Sequence, residues 1–113
     1  MSILSKDKHQ QRKEMPVFTG VLKYFPRALK YVSKISYAGN QQHHPDKPLH
    51  WDKEKSTDQL DALTRHLIDH SYEPIDDDGM LHLGKVAWRA LAALEEQLEK
   101  GDGLNNTWYA YER

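Results

Sequence analysis

The stretch Met80-Leu81-His82-Leu83-Gly84-Lys85-Val86-Ala87-Trp88-Arg89-Ala90-Leu91-Ala92-Ala93-Leu94-Glu95-Glu96-Gln97-Leu98-Glu99-Lys100 decides the fold. Leu83, Val86, Ala87, Ala90, Leu91, Leu94 and Leu98 recur at helical spacing and make one broad apolar stripe. Glu95, Glu96 and Lys100 fall on the wet side, and Gly101 and Gly103 stop the helix. Ala87, Ala90, Ala92 and Ala93 leave room for a neighbouring helix. Upstream, Leu60, Leu63 and Leu67 form a second helical stripe. Ser56 and Gln59 read as a capping box at its start. Residues 56–71 and 80–100 therefore predict a helical hairpin. Pro74 and the run Asp76-Asp77-Asp78 lie in the turn, and the acids suit a helix N-terminus.

Further upstream, Pro26 suits the first turn of another helix. Ala28, Leu29, Val32 and Ile35 share one face of it, and Gly39 is a natural left-handed end. Residues 17–24 read as a short extended approach, and residues 1–15 as a flexible polar arm. Residues 16–113 then form a single domain. The expected fold is all-α: three helices, a central hairpin, a long loop after the first helix and an aromatic tail. That tail carries Trp108, Tyr109 and Tyr111, too aromatic to be left in solvent.

Composition narrows the function. The chain has 113 residues, no cysteine and a net charge of −1. Thiolate chemistry and disulfides are excluded, and no overall field favours nucleic acid. No apolar run approaches the ~20 residues of a membrane span. The first residues lack the apolar core of a secretion signal, so a cytoplasmic location is expected. A core this small gains stability by association, and a homo-oligomer is expected.

The chemistry-bearing residues border the two stripes. Asp61 and Arg65 lie on one flank of the first hairpin helix, and His66 and His70 on the other. Asp61 and Arg65, at i and i+4, suit an ordinary helix ion pair. They equally suit an arginine held toward a phosphate, which its planar fork grips with two parallel bonds. His66 and His70 have the spacing of two metal ligands on one face, with Asp69 beside them, or are surface histidines. On the last helix His82 and Arg89 share a flank and Trp88 lies opposite. Trp51 and Tyr37 offer faces for a base, although Trp51 also suits the end of the core. The loop over residues 41–55 holds His43, His44, His50 and Trp51, and a loop that long in a small domain is often functional. Because the flanks are separate, Asp61 and Arg65 need not share a pocket with His66. The loop or a second subunit would have to close it.

Several segments together resemble a known family. They are Tyr24-Phe25-Pro26-Arg27-Ala28-Leu29, Tyr37-Ala38-Gly39, His50-Trp51, Asp61-Ala62-Leu63-Thr64-Arg65-His66-Leu67 and the run from Gly79 to Leu91. In this order they resemble the small phage and prophage domain known as the dATP/dGTP diphosphohydrolase N-terminal domain. The chain departs from the family pattern at Lys85, where many members carry a second histidine, and in its longer loop with His50 before Trp51. The resemblance implies an all-helical fold, a phage-type origin and a purine deoxynucleotide ligand. In the enzyme it implies, His66, His82 and Asp61 are the catalytic candidates. Arg65, Trp51, His50, Tyr37, Lys23 and Trp88 bind ligand, and His66, Asp69 and His70 hold magnesium or manganese. Two other functions fit the same residues: an oligomeric binder that sequesters a nucleotide or nucleotide-derived signal, and an interaction module that uses the aromatic tail.

Overall fold

A computed structural model of the chain describes residues 7–55 and 57–101. Among them are four α-helices: α1 (Lys8–Lys13), α2 (Pro26–His43), α3 (Gln59–Tyr72) and α4 (His82–Lys100). The fold is all-α, as the stripes predict. The aromatic tail and Ser56 lie outside the described residues.

The chain divides into two compact units, Arg27–Leu94 and the segments on either side of it. In the flanking unit, α1 is a short helix within the segment read as a flexible arm. The Asp7 carboxylate caps it by accepting from the Gln10 amide at 2.8 Å. Residues 17–24 are not extended: Phe18–Leu22 forms a π-helical turn. The Gly101 φ of 72° ends α4, the left-handed stop expected of that glycine.

In the central unit, α2 runs on past Gly39 to His43. Gly39 is not left-handed; among the described residues only Gly79 and Gly101 have positive φ. The helix instead gives way to the loop around the buried Asn40. Its carboxamide donates to the carbonyls of Lys47 at 3.1 Å and His44 at 3.4 Å, and accepts from the His50 amide at 3.4 Å. One side chain thus organises ten residues of loop.

Ser56, the expected cap of α3, lies outside the described residues, so the capping box with Gln59 is not described. Asp58 stands at the N-cap of α3 without a side-chain bond, and the Gln59 carboxamide accepts from Arg89 at 3.0 Å. The acidic run lies against the start of α4, where the Asp78 carboxylate accepts from the Met80 amide at 3.0 Å. The Asp76 amide donates to the Met80 carbonyl at 2.8 Å, and the turn closes through Gly79 at a φ of 81°. Asp76 and Asp78 spend their carboxylates on Lys85, each 2.7 Å from its ammonium.

The helices pack through unexpected faces. Ala62 and Ala92 are buried, together with the polar Gln59 and His82. Leu60 and Leu67 of α3 and Leu83, Leu91 and Leu94 of α4 remain exposed. At 100° per residue, the buried side of α4 runs through His82, Lys85, Trp88, Arg89 and Ala92, roughly opposite the leucines. Leu63, Val86, Ala87 and Leu98 of the stripes are half-buried, but the other leucines turn away from the core of the described residues.

Gly84 sets the approach of α4 to α2. A methyl group there would lie 2.6 Å from two carbons of the Tyr31 ring and 3.2 Å from Ile35 Cδ1. The ring cannot swing aside freely, because its hydroxyl accepts from the Leu81 amide at 2.8 Å. Glycine to alanine inside a helix ordinarily gains about 1 kcal/mol. Overpacking typically costs about 1–3 kcal/mol. Gly84→Ala is therefore expected to destabilise the protein by up to about 2 kcal/mol, read as a lower denaturant midpoint at unchanged slope. A more stable variant would contradict this packing.

Candidate functional site

The inward-facing polar residues line a cleft of about 810 Å³ in the central unit. One wall is the second half of α2 and the loop after it, with His44, His50, Trp51 and Asp52. The other is formed by His66 of α3 and by Lys85, Trp88 and Arg89 of α4. Trp51 meets Trp88 edge to face at 5.4 Å. Trp88 is fixed by its indole N–H, which donates to the Ser36 hydroxyl at 2.7 Å. The Trp51 indole N–H is shielded from solvent and has no partner among the described residues. A buried donor left so costs about 1–3 kcal/mol, which an acceptor on a bound ligand would recover.

At the base of the cleft the hairpin brings two histidines together. His66 Nδ1 lies 3.0 Å from His82 Nδ1, close enough for one to donate to the other. Asp76 Oδ2 is 3.9 Å from each. The centre of that triangle lies about 2.1 Å from all three atoms, the length of a zinc bond to nitrogen or oxygen. Lys85 Nζ holds the same Asp76 oxygen at 2.7 Å. Among the described residues a second group, His44, His50 and Asp52, also gathers three ligand atoms within 4.8 Å.

Charge tunes these groups. Burial holds the His66 imidazole below its ordinary pKa, and the positive charge of Lys85 acts with it, against Asp76. The hydrogen bonds from Lys85 hold the Asp76 and Asp78 carboxyls low, against their own burial. Burial works to lower Lys85, but those two carboxylates outweigh it and raise it.

The His66 shift carries a sign. Its folded pKa lies below the ordinary value near 6.5, so the unfolded chain takes up the proton first. The stability associated with neutral His66 is complete above that value and is lost as pH falls through the folded pKa. Between about pH 7.5 and 5.5 the wild type is expected to lose more stability than His66→Gln. Equal losses in a denaturation series would contradict a desolvated, neutral His66.

Of the residues singled out from sequence, the structure gathers His66, Trp51, His50 and Trp88 at the cleft, with His82 behind His66. Asp61 and Arg65 are exposed on α3 and do not line it. Neither does Tyr37, which is exposed, and Lys23 stands over the Phe18 ring in the flanking unit. The metal-ligand spacing of His66, Asp69 and His70 is not used: His66 instead gathers with Asp76 and His82, while Asp69 is exposed and His70 Nδ1 is buried without a partner. The arginine at the cleft is Arg89, whose guanidinium donates to Gln59 and lies 3.8 Å from Asp58. Arg89 and Lys85 are cleft residues that the sequence does not single out for the site, whereas His44 and Asp52 lie in the long loop and Asp76 in the acidic run. The only signal for Arg89 was its shared flank with His82.

Fold and site together define a small all-helical protein with an aromatic, cationic cleft over an imidazole–carboxylate centre. The chain belongs to the family described as dATP/dGTP diphosphohydrolase, N-terminal, whose model matches residues 5–105. No curated protein and no solved structure matches the chain. No helix among the described residues is long and apolar enough to cross a membrane.

Proposed function

We propose that the cleft binds a purine deoxynucleoside triphosphate and hydrolyses it to the monophosphate and diphosphate. The observation that carries this is the His66–His82 pair with Asp76, whose His66 lines the cleft that also holds Arg89 and two tryptophans. Family membership supports the substrate class. The tryptophans supply faces for the base, and Arg89 supplies a fork for phosphate oxygens. His66, kept neutral, accepts the proton of a water that attacks phosphorus. The new P–O bond forms as the anhydride bond to the diphosphate breaks, and His82 relays charge through its 3.0 Å bond.

Two imidazoles and one carboxylate suit manganese or zinc. Magnesium prefers oxygen ligands, so of magnesium and manganese the donor set favours manganese. With an ion bound, His66 and His82 would hold it through the atoms that otherwise share the hydrogen bond, together with Asp76, and its positive charge at the phosphates would replace the role of His66 as base. Incubating the purified protein with dATP or dGTP and manganese or magnesium tests the enzyme. Chromatography should show the monophosphate and diphosphate; no product at high protein concentration sinks it.

One observation favours a second reading, a binder that holds the nucleotide, or a nucleotide-derived signal, uncut. Lys85 neutralises Asp76, the carboxylate 3.9 Å from both histidines, and Asp78 as well. Stoichiometric binding with the ligand recovered intact would select this reading.

We also infer that the chain self-associates through its leucine stripes. Leu67, Leu83, Leu91 and Leu94 are exposed apolar residues on neighbouring helices of a protein with a very small core. The oligomer works in the cytoplasm, that of the host if the gene is of phage type.

A further inference from the structure

We infer that His44, His50 and Asp52 form a site for a divalent transition metal in the loop after α2, separate from the His66–His82 centre. The loop is folded for it by Asn40, whose side chain ties the backbone at His44, Lys47 and His50. This brings the two imidazole rings to 4.5 Å between centroids. Asp52 lies against both: its Oδ2 is 3.1 Å from His44 Nε2 and its Oδ1 is 3.4 Å from His50 Nε2.

The tautomer of His50 points to a cation. His50 Nδ1 is 3.0 Å from the Pro48 carbonyl oxygen. A carbonyl only accepts, so Nδ1 carries a proton and Nε2 is the ring nitrogen left to face Asp52. Nε2 faces a carboxylate oxygen, a position that suits positive charge, whether a proton or a metal ion. A ligand histidine whose other nitrogen donates to a backbone carbonyl is the recurrent outer-shell arrangement of metal sites. Lys55 is the nearest fixed cation to Asp52, but at 3.7 Å and with its side chain 78% exposed it does not fill the position.

Two imidazoles and a carboxylate select zinc, cobalt or nickel over magnesium or calcium. Three protein ligands also leave a fourth position open to water or to a ligand in the cleft. Trp51 sits between ligands His50 and Asp52 in the chain, so the metal would fix the backbone that carries it. The aromatic wall against Trp88 would stiffen as the ion binds. This inference does not depend on hydrolysis or on nucleotide binding.

The test uses the full chain, freed of metal by chelation and titrated with zinc by calorimetry and with cobalt(II) by visible absorption. A His66→Ala/His82→Ala variant should still bind one equivalent and show the cobalt absorption of a four-coordinate site. Adding His44→Ala and His50→Ala on that background should abolish both. Asp52→Asn, nearly the same shape, should weaken zinc at least about 100-fold even if the histidine variants fold poorly. Unchanged zinc affinity in Asp52→Asn, or an equivalent retained without His44 and His50, would overturn the site.

Discussion

His82→Ala is expected to lower the hydrolysis of dATP and dGTP by about 10²–10⁴-fold, the range that a positioned acid–base group supplies. His82 is 5% exposed and bonded to His66 at 3.0 Å. Its loss leaves the His66 base without the partner that orients its ring and shares its proton. It also removes one of the three atoms that surround a metal position. His82→Asn, which keeps a polar atom in the buried space, serves as the folding control and should lose a similar factor. Asp61→Ala should change the rate less than about twofold, because Asp61 is exposed on α3 and does not line the cleft. Rates measured at saturating nucleotide separate the two cases. Normal turnover in His82→Ala would remove the histidine pair from the chemistry.

Leu91→Glu with Leu94→Glu is expected to abolish the self-association proposed for the leucine stripes. Both leucines are about half exposed, at 50% and 51%. Fully burying such a side chain contributes about 1.5–3 kcal/mol, so covering its exposed half contributes about 1 kcal/mol or somewhat more. In a symmetric pair each substitution counts twice. Two positions on two copies amount to roughly 4–6 kcal/mol, about 10³–10⁴-fold in the dissociation constant. The buried charge of glutamate adds to that. Sedimentation should show the wild type as an oligomer and the double variant as a monomer that keeps its helical circular dichroism. A monomeric wild type would show that the stripes have no partner copy.

Much of the helical frame is legible in the residues. The spacing of Leu83, Leu91, Leu94 and Leu98 identifies α4, Pro26 marks the start of α2, and Gly101 stops α4. What the spacing cannot convey is which side of an amphipathic helix faces its own chain. A leucine stripe is equally suited to the core or to a second copy. Here the polar flank turns inward, and that reversal makes Lys85, Trp88 and Arg89 cleft residues. Gly39 illustrates a second limit. Glycine permits a left-handed stop but does not impose one, and Asn40 carries α2 onward by satisfying the loop backbone.

The site was half legible for a similar reason. His66 and His82 were visible as candidates, but they lie sixteen residues apart and meet only when the turn folds. Asp76, inside that turn, reads in sequence as one of three acids before a helix. Its proximity to both histidines is a tertiary fact. Arg65 and Arg89 look alike in sequence, each flanking a stripe near a histidine. Only the rotation of the helices separates the exposed one from the one at the cleft.

That contrast gives the most direct test of the cleft as the nucleotide site. An α,β-methylene analogue of dGTP, which cannot be cut at the reacting bond, is titrated by calorimetry into wild type, Arg65→Ala and Arg89→Ala. Circular dichroism confirms the fold of each. The cleft predicts equal affinity for wild type and Arg65→Ala. Arg89→Ala should bind about 10–100-fold more weakly, the loss of charge-assisted bonds worth about 1.5–3 kcal/mol. Weakened binding in Arg65→Ala with unchanged binding in Arg89→Ala would place the nucleotide elsewhere and contradict the account.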